Sequence, residues 1–130
     1  MKIIKFLLVC FLITLLIPIS ALAATSTLWE GNITDKNKGT YTPLVSSSGN
    51  SIQACFSNNP SSNTIKITPY EIDGSTKTAM APVASFTTSN GCVTKSLSGW
   101  KDGKEKKAEV RFKIVSTKSK TVYVKVKHTY

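Results

Sequence analysis

Histidine and arginine occur once each, at His128 and Arg111, and seven acidic residues stand against 17 basic ones. Each scarcity excludes something. His128 is the only ring able to act as a base near neutrality, and no serine lies in a Gly-x-Ser-x-Gly setting that it might serve. It is expected as a surface residue near the chain end. Two cysteines beyond the first two dozen residues, with no second histidine, cannot furnish a tetrahedral zinc site. The acids are dispersed. Glu71 and Asp73 precede Gly74, and Asp102 precedes Gly103, so both read as Asp-Gly turns rather than as a glycosidase pair or a calcium loop. Neither an enzymatic activity nor a metal or cofactor is expected. A lone arginine also leaves little capacity for bidentate reading of bases, so no specific nucleic acid is expected.

Long apolar runs are missing except at the start. Lys2 and Lys5 precede the run Phe6 to Ile17, Pro18 breaks it, and Ala21-Leu22-Ala23 forms a small-x-small cleavage signature. The run is shorter than the roughly 20 residues a spanning helix needs. The sequence therefore predicts a signal peptide over 1–23 and one domain over 24–130, with no transmembrane span in the mature chain. The expected location is secreted, extracellular or cell-wall associated. Leu7-Leu8-Val9-Cys10 falls short of a lipoprotein site, because Val9 is not small. The remaining Cys55 and Cys92 are expected to pair, as an even number of cysteines does in an oxidising compartment.

Helical periodicity is absent from the mature region, where strand signals dominate. Thr27 to Ile33, Ser51 to Phe56, Thr64 to Thr68, Cys92 to Leu97, Ala108 to Val115 and Thr121 to Lys127 alternate or are rich in β-branched residues. Turn clusters rich in Ser, Asn, Gly and Pro separate them. The expectation is all-β: a single small antiparallel β-sandwich of about six to eight strands, with a small barrel as the alternative. Alternation places Cys55 with Ser51 and Gln53, and Cys92 with Thr94 and Ser96. The bridge is thus predicted on an outer polar face or edge rather than in the core.

Charge is the most uneven feature of the chain. From Ala24 to Thr94 four lysines meet four acids, whereas from Lys95 to Tyr130 ten lysines and Arg111 meet three acids, an excess of eight. Lys101, Lys104, Lys106 and Lys107 cluster in a loop. Arg111 and Lys113 alternate with apolar residues in one strand, and Tyr123, Lys125 and Lys127 do so in the last. If Ser116 to Ser119 joins these strands as a hairpin, all five share one outer face as a basic stripe containing an aromatic. Such a stripe either keeps a sheet edge soluble or attracts a polyanion. Trp100, beside Gly99 and Lys101, either stacks on a ligand or plugs the end of the sandwich, and Trp29 is expected in the core. The candidate binding residues are Trp100, Lys101, Arg111, Lys113, Tyr123, Lys125 and Lys127. The expected partner is an anionic polymer or surface of the cell envelope: a cell-wall polyanion, acidic polysaccharide or lipid headgroups. A secreted antimicrobial or toxin-like effector, and an extracellular inhibitor or adhesin-like binder, are the alternatives.

Overall fold

The computed structural model describes residues 23–34 and 38–130. The expected signal segment through Leu22, including Cys10, lies outside the described residues, as does Lys36. Ten strands follow in order: β1 Thr25–Thr34, β2 Thr40–Tyr41, β3 Val45–Ser47, β4 Ser51–Ser57, β5 Ile65–Asp73, β6 Thr76–Ala79, β7 Ala84–Phe86, β8 Gly91–Ser96, β9 Ala108–Ser116 and β10 Thr121–Thr129. The six segments read from the sequence correspond to β1, β4, β5, β8, β9 and β10. The other four strands are two to four residues long, too short for alternation to register against turn composition.

The strands form two antiparallel sheets packed as a sandwich. Sheet A runs β1-β10-β4-β8; sheet B runs β2-β9-β5-β6, with β3 also beside β9 and β7 also beside β5. The alternating apolar residues meet between them. Val110, Phe112 and Ile114 of β9 and Ile65 and Ile67 of β5 face inward from sheet B. Val122, Val124 and Val126 of β10 and Ile52, Ala54 and Phe56 of β4 face inward from sheet A, and all of these are buried. Each of these side chains other than Ala54 contributes about 1.5–3 kcal/mol of burial.

One expectation is overturned here. β9 and β10 do not form a hairpin: β9 pairs with β5, β2 and β3, whereas β10 pairs with β1 and β4 in the other sheet. Alternation alone cannot distinguish the two arrangements, because a strand buries the same face whether its successor lies beside it or across the core. The connection is held off the sheet by Asn63. Its Oδ1 accepts from Thr117 Oγ1 at 3.2 Å and from the Lys118 N–H at 3.0 Å, and its Nδ2 donates to Ser116 Oγ at 3.0 Å. The backbone N–H of Lys120 in turn donates to Ser116 Oγ at 3.1 Å. A segment bonded in this way to the β4–β5 loop crosses from one sheet to the other instead of turning back on itself.

Cys55 and Cys92 are bridged and stand directly opposite one another on neighbouring β4 and β8, with Cα atoms 4.0 Å apart. The bridge lies on the outer side of sheet A beside the edge strand, with Cys92 exposed, as the alternation predicts. The Asp73-Gly74 reading also holds. Asp73 pairs with Thr76 across a two-residue turn, and Gly74, with φ of 56°, supplies the left-handed first position that a side chain would strain.

His128 is not at the surface. It is 6% exposed, continues the inward row of Val122, Val124 and Val126, and shares a 2.8 Å hydrogen bond from Nδ1 to Ser47 Oγ. Ser47 is itself buried at the end of β3, so the pair ties sheet A to sheet B. Tyr130 packs edge-on against the imidazole.

Candidate functional site

The crossing divides the expected stripe. Arg111 and Lys113 point outward from sheet B, while Tyr123, Lys125 and Lys127 point outward from sheet A on the opposite side of the sandwich. The two faces differ in what surrounds these cations.

On sheet A, Lys125 stands opposite Glu30 of β1, and their side chains form an ion pair at 2.9 Å. The Glu30 carboxyl is held below its usual range by hydrogen bonds from Lys125 and Tyr123 and by the charge of Lys125. The Tyr123 phenol is raised, chiefly because it donates to that carboxylate. Two of the three candidates on this face are therefore engaged with a local acid. Around them the register sets Thr27, Gln53 and Thr94 in line with Lys127, and Cys55 and Cys92 in line with Lys125. The face is polar and almost neutral.

On sheet B, Lys113 stands opposite Tyr41 of β2 on one side and Thr68 of β5 on the other, and Arg111 stands opposite Tyr70 of β5. Lys77, in β6 opposite Ile72, reaches over both tyrosines. Its ammonium donates to the Tyr41 hydroxyl at 2.8 Å and lies 4.9 Å from the Tyr41 ring centre and 5.0 Å from that of Tyr70. The two rings are 6.0 Å apart and tilted by 56°. An ammonium over two ring faces is a favourable cation–π arrangement. The bond to Tyr41 also raises the Lys77 side chain above its ordinary value, so it stays charged. Gly39 enters β2 with φ of 84°, so close to Lys113 that a Cβ there would overlap the lysine chain. Lys66 lies two residues before Thr68 on the same outward side. Among the described residues, four cations, Lys66, Lys77, Arg111 and Lys113, thus share this face with one acid, Glu109. Both tyrosines are half-buried.

Sequence reading missed Tyr41, Tyr70 and Lys77. Tyr70 carries a legible signal, since it has the outward parity of Lys66 and Thr68 once the strand is extended through Pro69. Tyr41 sits in a two-residue strand that alternation cannot reveal.

Trp100 packs against the core as a partly buried ring. Lys101 and Lys106 line a cleft of about 630 Å³ with Asn50, Ser96 and Ser98, and no carboxylate contributes to its walls. A neighbouring cleft of about 230 Å³ is different: Asp102, Glu105 and Glu109 there offset Lys104 and Lys107, and Lys107 pairs with Glu105. The lysine-rich loop is therefore partly self-neutralised. Below it, the largely buried Glu71 is pushed above the usual carboxylate range by burial and then by Asp102, Asp73 and Glu109.

Comparison with known protein families matches residues 27–126 to the YndA coiled coil domain. The chain belongs to that family. Eight of the ten strands among the described residues lie wholly within the matched span, and β1 and β10 overrun it at its two ends. No helix occurs among the described residues, so the coiled coil of the family's description has no counterpart in them. No curated protein matches the chain.

Proposed function

We propose that the protein is a non-enzymatic, secreted binder of an anionic polymer or surface of the cell envelope. Its contact surface is the outer face of sheet B, in place of the C-terminal hairpin that the sequence suggested. The observation that carries this reading is the asymmetry of the two outer faces. On sheet A the lysine next to Tyr123 is spent on Glu30. On sheet B, among the described residues, Lys66, Lys77, Arg111 and Lys113 face a single acid. Exposed lysines cost little to maintain and interact weakly one at a time, but several on one plane raise the local concentration of a polyanion. The contact is expected to be salt-sensitive, since exposed charges are screened over about 10 Å at 0.1 M.

Retention on immobilised long-chain polyphosphate tests this. Arg111→Gln with Lys113→Gln, and Lys125→Gln with Lys127→Gln, each remove two positive charges, from opposite faces. The first pair should lower the eluting salt concentration clearly and the second only slightly. Equal losses would assign the binding to bulk charge, and no retention of the wild type at low salt would refute the reading.

A further inference from the structure

The charges on the outer face of sheet B explain attraction to any polyanion, but the tyrosines narrow the ligand. An aromatic ring carries a negative π-face, which attracts Lys77 and repels a phosphate or carboxylate placed over it. The ring faces of Tyr41 and Tyr70 therefore add nothing to a purely ionic contact. They add affinity only where the ligand offers an apolar C–H surface beside its anionic group. Resting on the polyanion reading above, we propose that the ligand of this face is an acidic polysaccharide, whose sugar rings lie on Tyr41 and Tyr70 while their carboxylates meet Lys77, Arg111 and Lys113.

The register supports this division of labour. Arg111 is level with Tyr70 and Lys113 with Tyr41, so each ring has a cation beside it one strand away, about 4.8 Å in the hydrogen-bonding direction. Lys77 covers the two rings in the unliganded protein, so a sugar that stacks on them displaces its ammonium, which then meets the carboxylate beside them. A lipid surface fits less well. The large exposed apolar side chains among the described residues are Leu44, Val83 and Tyr130, and none occupies a strand position of this face. The outward Ile72 and Val115 are only half-exposed, so this face offers little apolar surface to insert among acyl chains.

The test compares three probes with the full chain at matched ionic strength: polygalacturonate, polyphosphate of similar charge, and vesicles containing anionic phospholipid. Tyr70→Ala should weaken polygalacturonate binding about fivefold to tenfold, the range of an aromatic contact, and leave polyphosphate binding within about twofold. Tyr70→Phe keeps the ring and should restore the sugar affinity, while thermal melts confirm that both variants fold. A Tyr41→Ala exchange should act in the same direction, and it is independent of any packing role of Tyr70. Polygalacturonate binding that survives both alanine exchanges would overturn the polysaccharide assignment while leaving the polyanion reading intact. So would vesicle binding tighter than either polymer. Failure of the wild type to bind polygalacturonate and polyphosphate alike would overturn both.

Discussion

Replacing Asn63 by alanine probes the contact that sends the chain across the sandwich. Asn63 is 1% exposed, and its amide donates to Asn59 Oδ1 at 2.7 Å as well as to Ser116. Asn59 meanwhile holds Thr88 O at 2.9 Å and Asn63 O at 3.1 Å. The network therefore joins three loops at one end of the molecule. Truncation removes a partner from Asn59 Oδ1 inside the buried network and from the partly buried Lys118 N–H. Each stranded group costs about 1–3 kcal/mol, the Lys118 group at the lower end because water can reach it. The expected loss is about 3 kcal/mol, a large fraction of the 5–15 kcal/mol of a typical domain. Equilibrium urea unfolding should show this as a lower midpoint with an unchanged slope, and the melting temperature should fall by about 10–15 °C. Thr117→Val, which removes a partly buried donor to Asn63 and a solvent-exposed acceptor from Thr64, should cost about 1 kcal/mol. A loss below about 1 kcal/mol for Asn63→Ala would refute the argument that this side chain fixes the crossing.

Two further outcomes concern stability. The Cys55–Cys92 bridge closes a sequence separation of 37, so reduction should destabilise by up to about 4 kcal/mol in the chain-entropy account; free thiols found by mass spectrometry in the oxidised protein would contradict the pairing. Glu71 has its folded value raised, so the stability it contributes is fully present below the unfolded carboxyl value near 4.3 and is lost as pH rises through the folded value. Glu71→Gln should accordingly raise stability at pH 7 relative to wild type and lose that advantage near pH 3, and a constant difference across this range would contradict the burial argument.

The sequence carried the faces of the strands better than their partners. Val110, Phe112, Ile114 and Val122, Val124, Val126 announce two buried rows, but the same rows arise from a hairpin and from a crossing. Pairings distant in sequence, β9 with β5 and β10 with β4, decide between them, and Asn63 bonds the connection where it crosses. His128 was legible on the same parity as Val126, and its chemistry as a polar ring obscured that signal. Among the candidate binding residues, Arg111 and Lys113 fall on the face with unneutralised charge. Tyr123 and Lys125 do not, because Glu30 is brought opposite them by a strand pairing that no local pattern encodes. Trp100 had two readings, and its ring packs against the core while remaining partly exposed.

The central claim is that an anionic polymer meets sheet B rather than sheet A, and amide chemical-shift mapping tests it most directly. On titration with polygalacturonate at low salt, the account predicts saturable shifts centred on Tyr41, Tyr70, Lys77, Arg111 and Lys113. Glu30, Tyr123, Lys125 and Lys127 on the opposite face should stay near their free positions. Shifts centred on Tyr123 and Lys127, or spread evenly over both faces, would contradict it.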